Sequence, residues 1–259
     1  MAIFRAENLK KSFSQRWVVK GVNLKVHSGE IISLLGANGA GKTTTLRMLS
    51  TVLQPTGGSA TVMGNDVLSA PEAARQSLGF YSASTALYPR LTGKETLEFF
   101  ARINHYPEER VGARVEALIE RFGIKEYANA RVEKLSSGMK QKVSIARTIA
   151  HDPPVLIFDE PTVGLDVLNA LEMVKVIREL SAEGKTIIFS SHIMSEVEKL
   201  CDRIAIIHRG KLLALGTLES LRDVTGHHYL EDIFVHYVTQ EEGPEGASIG
   251  FTGELEEAE

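Results

Sequence analysis

Apolar and polar positions alternate over residues 2–9 and 17–26, the period of strands with one buried face, and predict an antiparallel pair. The pattern then changes. Ile31-Ile32-Ser33-Leu34-Leu35 is a continuous branched run, short enough for a fully buried strand, and Thr45-Leu46-Arg47-Met48-Leu49 reads as the opening of a helix. Gly57-Gly58 predicts a turn, with strands following at 59–63 and 78–81. From about 93 to 150 the period becomes helical. Thr92-Gly93-Lys94-Glu95 has the form of a capping box, and Val111, Val115, Leu118, Ile119 and Phe122 share one face of a helix that Gly123 stops. Strand-like runs return at 155–158, 186–190, 203–208 and 212–215. Helical patterns occupy 168–180 and 195–201, and Arg209-Gly210 marks a turn. Strands alternating with helices around an interposed helical block predict an α/β chain with an inserted helical subdomain.

Composition narrows the class. The 259 residues are 43% hydrophobic, enough for a core, yet no apolar run approaches a membrane span and no leader pattern opens the chain. A soluble, unprocessed protein is expected. The single Cys201 excludes an intramolecular disulfide, fits a reducing compartment and reads as a packed thiol. The formal net charge of −4 is carried by the end of the chain: from Gln240 onward there are seven Glu and no Lys or Arg. The remainder is too near neutral to argue for nucleic acid. His227-His228 have no acidic or Cys neighbours at metal spacing and read as surface residues.

Candidate chemistry starts behind the first buried run. Gly36, Ala37, Asn38, Gly39, Ala40, Gly41, Lys42, Thr43 and Thr44 match G-x-x-x-x-G-K-[ST], the phosphate-binding loop. Glycines let successive N–H groups turn inward toward an anion, and the following helix points its positive end at the same place. Lys42 brings a cation to the terminal phosphates, and the Thr43 hydroxyl can ligate magnesium. With a strand before and a helix after, the stretch predicts binding of a nucleoside triphosphate. Asp159-Glu160 ends a buried strand, where open α/β sheets bind ligands. Asp159 is placed to hold magnesium through its water shell and Glu160 to take a proton from an attacking water. His192, directly after another apolar strand, would face the nucleotide too. Ser136, Ser137 and Gly138 at a helix start form either an ordinary N-cap or a second anion site. Phe13 and Trp17 lie at the connection of the first two strands, where an aromatic can stack on a purine or simply half-bury in a hairpin.

With these motifs in this order, the chain resembles the ATP-binding cassette family, the motor subunits of ABC transporters, over about residues 3–221. GANGAGKTT at 36–44 resembles its Walker A motif, LSSGMKQ at 135–141 its signature, and VLIFDEP at 155–161 its Walker B motif with catalytic Glu160. Gly164-Leu165-Asp166 resembles its D-loop and His192 its switch histidine, and Phe13 falls where the family places the adenine-stacking aromatic. Ser137 and Met139 depart from the signature, and Ala83 stands where the family has a magnesium-sensing Gln. Either a water held by Asp159 takes the place of the Gln oxygen, or a hydroxyl from Ser82 or Ser84 does; the water is the expected substitute, because magnesium gives up its hydration reluctantly.

The resemblance implies a P-loop NTPase core with a mostly parallel sheet, an antiparallel β subdomain and the inserted helical subdomain. It implies ATP and Mg2+ as cofactors, catalysis by Glu160, His192 and Lys42, and metal contacts from Thr43 and Asp159. Ser136, Gly138 and Asp166 would engage ATP across a dimer, a homodimer being expected, which drives a separate transmembrane permease. The ATPase domain is expected at 1–225, with the helical subdomain about 93–150, and an extension at 226–259. The nearest subfamily resembles ABC-2-type exporters, the sodium-efflux kind in particular, which share the Met of the signature and a segment like Tyr229-Leu230-Glu231-Asp232-Ile233-Phe234. That predicts a cytoplasmic subunit, peripheral on the cell membrane through its permease. Two alternatives are a soluble ABC protein acting on ribosomes or nucleic acid, and a P-loop small-molecule kinase. The single cassette, the absence of heptads at 93–150, the signature and the D-loop count against them. The acidic stretch 240–259 is expected to be disordered and removable (from 241) without loss of activity.

Overall fold

The structure, a computed structural model, describes residues 2–82 and 85–242. Ala83, Ser84 and the acidic stretch from 243 onward lie outside the described residues. In chain order the elements are β1 (Ala2–Phe13), β2 (Arg16–His27), β3 (Ile31–Leu35), α1 (Lys42–Leu49), β4 (Gly57–Val62), β5 (Asn65–Asp66), α2 (Pro71–Gln76) and β6 (Leu78–Ser82). The helical insertion follows, with α3 (Gly93–Ile103), α4 (Glu108–Arg121) and α5 (Ser137–Thr148). The chain then runs through β7 (Val155–Asp159), α6 (Val167–Ala182), β8 (Thr186–Ser191), α7 (Met194–Leu200), β9 (Arg203–His208), β10 (Lys211–Gly216), α8 (Leu218–Thr225) and α9 (Leu230–Glu242).

Two sheets result. The antiparallel one has the order β2-β1-β4-β5, and the six-stranded one runs β10-β9-β3-β8-β7-β6, parallel except for β10. Every residue of β3, β7 and β8 is buried, as expected where both faces of a parallel sheet are covered, which is why these strands read as unbroken apolar runs. Their side chains divide between two cores. Ile32, Leu34, Ile157 and Ile188 pack with Leu46, Met48, Leu49 and the inner face of the antiparallel sheet. Leu35, Leu156, Phe158, Ile187 and Phe189 pack toward the helical side.

The insertion follows its predicted period. Val111, Val115, Leu118 and Ile119 of α4 are buried, and Gly123 ends the helix with φ 60°. The Thr92 hydroxyl accepts from Glu95 N at 3.1 Å while Thr92 N donates to the Glu95 carboxylate at 2.8 Å, completing the capping box.

Some expectations need correction. Gly57 and Gly58 do not form a turn; both lie inside β4. Gly58 has φ 78°, and a Cβ there would sit 2.2 Å from Asn8 O, so the glycine permits a close approach of two strands at a bulge. Residues 240–242 are the last turn of α9 rather than part of a disordered tail. Here local composition lost to tertiary pairing, because both acidic side chains find cations on the β9–β10 turn.

The parallel register decides what meets at the carboxyl edge of the sheet. Leu35 lies opposite Ser191, Asp159 opposite Ser190 and Ser82 opposite Asp159. The segments leaving β3, β7 and β8 therefore emerge side by side.

A candidate nucleotide site at the edge of the parallel sheet

The loop leaving β3 turns by means of glycine. Gly39 and Gly41 have φ 79° and 103°, conformations that L side chains rarely adopt, and a Cβ on Gly36 would meet Ile207 O at 2.4 Å. Gly41 is the N-cap of α1 and offers no side-chain cap, so the first-turn amides are left for an anion. Lys42, only 4% exposed, folds back over the loop and donates to Gly36 O at 2.7 Å and Ala37 O at 3.2 Å. Its ammonium also lies 3.2 Å from the Glu160 carboxylate.

Asp159 and Glu160 separate in role although adjacent in sequence. Asp159 ends β7 and is buried. Its Oδ1 accepts from Thr43 Oγ1 at 3.0 Å and Ser190 Oγ at 2.8 Å, and Ser82 Oγ donates to Oδ2 at 3.4 Å. Glu160 follows with φ 49°, a strained conformation for a residue with a Cβ, of the kind that clusters at functional sites. That turn carries its carboxylate to Lys42 and within 3.4 Å of His192 Nδ1. The Glu160 N–H donates to Ser190 Oγ at 3.0 Å, so one hydroxyl bridges the two acidic residues. Lys42, Thr43, Asp159, Glu160 and His192 are thus one connected group.

Ser190 was not singled out in the sequence, and Ser82 only as one of two hydroxyls that could stand in for the missing Gln oxygen at position 83. Serines ending apolar strands are unremarkable alone, and only the register opposite Asp159 gives them meaning. A further support appears behind His192: Glu196 Oε2 accepts from Thr162 Oγ1 at 2.8 Å and Ser191 Oγ at 3.3 Å, tying the segments after β7 and β8 together.

The other candidates sit elsewhere. Ser136 is the N-cap of α5 and accepts from Met139 N at 3.3 Å. Asp166 caps α6. Hydrogen bonds from the backbone and side chain of Asn169, and from Leu168 N, hold its carboxyl below the usual carboxylate range. A Cβ on Gly138 would lie 3.9 Å from the Asn169 amide, so Ser136, Gly138 and Asp166 share one face. Among the described residues no hydrogen bond joins them directly to Lys42 or Thr43; the link is Gln141, which donates to Pro161 O at 2.7 Å. Phe13 pairs with Arg16 at the β1–β2 hairpin, with Lys11 Nζ 5.1 Å from its ring, and it is 46% exposed against 48% for Trp17. Asn38 and Gly39 are exposed, Ala40 is buried, and Thr44 lies in the first turn of α1. Cys201 is partly buried, its thiol pushed up by burial, and the described residues contain no cluster of three His, Cys, Asp or Glu side chains that could hold a metal.

A glycine-turned loop feeding an uncapped helix, beside two carboxylates at the carboxyl end of another strand of the same parallel sheet, defines a P-loop nucleoside triphosphatase. The ABC transporter family model matches residues 19–163. The chain is 44% identical over 218 residues to the ABC transporter ATP-binding protein NatA of Bacillus subtilis, covering 84% of this chain and 89% of the relative. It is 40% identical over 214 residues to the Nod factor export ATP-binding protein I of Burkholderia lata, covering 83% and 70%. A solved dimeric ATP-binding cassette in a post-hydrolysis state, bound to ADP and Pi, superposes with a TM-score of 0.75 at 25% identity, covering 83% of this chain and 98% of that one. The chain belongs to the ABC transporter family, as an ATP-binding, ATP-hydrolysing subunit.

Proposed function

We propose that two copies of this chain close around two ATP molecules and drive a separate transmembrane permease that exports its substrate. The observation that carries this reading is the division of the site into two faces. The Lys42–Glu160–His192 group is knit together within the chain, whereas Ser136, Gly138 and Asp166 face outward beside Val167 and Leu168, which are 75% and 74% exposed. Large apolar side chains flanking a polar cap suit a face covered by a second subunit.

In the assembled site the phosphates replace Gly36 O and Ala37 O as partners of Lys42, and the amides of the loop and α1 hold their oxygens. Glu160 takes the proton of the attacking water. Ser190, bonded to the Glu160 N–H, fixes the backbone from which that carboxylate is presented, and His192 orients it from the neighbouring strand. Phe13 stacks on the adenine. The signature face of the second subunit directs the N-terminus of α5 at the γ-phosphate. Magnesium fits the Thr43–Asp159 pair, an all-oxygen set 3.0 Å apart that leaves room for phosphate oxygens and water. When bound, the ion neutralises charge on the phosphates.

The ATPase unit is residues 1–225 with its helical subdomain at 93–150, extended by 226–259. No helix among the described residues is long and apolar enough to cross a membrane, which supports a peripheral subunit on the cytoplasmic face, attached through its permease. The likeness to a Nod factor export protein supports the export direction, and the resemblance to sodium-efflux subunits points to sodium or another small substrate.

Glu160→Gln tests the chemistry. The variant retains ATP, loses hydrolysis and runs as a dimer in size-exclusion chromatography with magnesium-ATP. A monomer that hydrolyses at the wild-type rate overturns the reading. Affinity purification from detergent-solubilised membranes tests the partner: a polytopic membrane protein is expected, and ribosomes or nucleic acid in its place would favour the soluble class.

A further inference from the structure

The phosphate loop rests on the β9–β10 turn. Gly210 N donates to Ala40 O at 2.9 Å, and Lys20 N donates to Gly210 O at 2.8 Å, so the turn is wedged between the loop and β2. The fit is close. A Cβ on Gly210 would meet Val18 O at 2.2 Å, one on Gly36 would meet Ile207 O at 2.4 Å, and one on Gly41 would lie 3.5 Å from Gly210 Cα. Both ends of the phosphate loop therefore touch the end of β9 or its turn, and displacement of the turn moves the amides that hold the phosphates.

The same turn is gripped from its other side by the end of α9. Glu242 Oε1 accepts from His208 Nε2 at 2.8 Å and from Arg209 Nη2 at 2.9 Å, and Glu241 is ion-paired with Lys211. Two carboxylates in the last turn of a helix, with no basic residue there, oppose the helix dipole. Their position gains nothing from α9 itself, so the compensation comes from the turn. Glu242 and His208 are only 12% and 14% exposed, and solvent and salt screen that pair less than the outer Glu241–Lys211 pair. Leu230 and Ile233 bury the opposite end of α9, which anchors the grip.

We infer that Glu241 and Glu242 are positioning residues for nucleotide binding, holding the His208–Lys211 turn against the phosphate loop. This rests on the phosphate-loop reading of residues 36–44. The grip acts on ground-state binding, because Glu160 and His192 stand on other segments. Its loss therefore raises KM and leaves kcat. The expectation that residues 241–259 can be removed silently is accordingly narrowed to 243–259.

The test measures steady-state ATPase kinetics and the equilibrium affinity of a fluorescent methylanthraniloyl-ATP on the full chain. Glu241→Gln/Glu242→Gln is expected to raise KM and weaken probe binding by about three- to tenfold, the scale of two partly screened charge-assisted contacts, with kcat within about twofold. Removal of 241–259 is expected to do the same, and removal of 243–259 to leave both constants unchanged. Lys211→Glu raises KM, and adding Glu241→Lys restores it, which a merely structural loss would not do. An unchanged KM in the double Gln variant, a fall in kcat alone, or a Lys211→Glu defect that Glu241→Lys does not reverse overturns the inference. Should the double Gln variant fail to fold, the Lys211→Glu pair decides. Lys42→Ala serves as the reference: if it binds the probe normally, the phosphate-loop reading itself fails, whatever the α9 variants do.

Discussion

The two polar faces of this chain differ in how far they are finished. Around Lys42 and Asp159 every functional side chain has partners from other strands, and Ser190 alone bridges two of them. Around Ser136, Gly138 and Asp166 the hydrogen bonds are local helix caps, and the surrounding Met139, Val167 and Leu168 are exposed. The first face is organised by sheet register, the second by the start of a helix. On the function proposed above, the first face binds phosphate and the second is the cap offered to a partner subunit, so each chain would supply half of a composite site. If so, the difference teaches that affinity and turnover are separable: the first face would set binding, and the pairing of both faces would set chemistry.

Variants can break or sharpen that contrast. The largest effect is expected at Glu160, where Glu160→Gln should lower turnover by roughly 10²–10⁴-fold, the usual contribution of a positioned general base, with ATP affinity retained in a filter-binding assay. His192→Ala should also bind ATP and turn over slowly, and normal turnover would detach it from the site. Lys42→Ala should weaken ATP binding by about 2–5 kcal/mol by calorimetry, because it removes one partner of a buried charge cluster. Phe13→Ala should weaken binding by about 1–3 kcal/mol, the scale of base–aromatic stacking, and Trp17→Ala by less. The reverse order would transfer the purine to Trp17. Ser136→Ala belongs to the other face: it should remove a cap worth about 0.5–2 kcal/mol of helix stability and slow turnover, with ATP affinity of the isolated subunit unchanged. A loss of monomer affinity in Ser136→Ala would collapse the distinction between the faces.

Much of this was legible along the chain, because it depends on neighbours in sequence. The phosphate loop needs a particular order of glycines, Lys and Thr between a strand and a helix. The capping box at Thr92 and the apolar face of α4 follow from spacings of three and four residues. Continuous apolar runs at β3, β7 and β8 announced strands covered on both faces. Short-range chemistry writes itself into composition and period.

Other features were decided only when distant segments met. Ser190 acquired its role from lying opposite Asp159, and Gly58 became a bulge residue because Asn8 crosses it closely. Residues 240–242 look like the start of a solvated acidic tail, yet they close α9 because His208, Arg209 and Lys211 wait on the turn they reach. Sheet order and long-range ion pairs join residues tens to hundreds of positions apart, and no local propensity encodes them. The chain by itself specified which groups can bind a nucleotide, and the tertiary structure decided which of them stand together, since hydrogen bonds and paired charges act over a few ångströms of space whatever the distance in sequence.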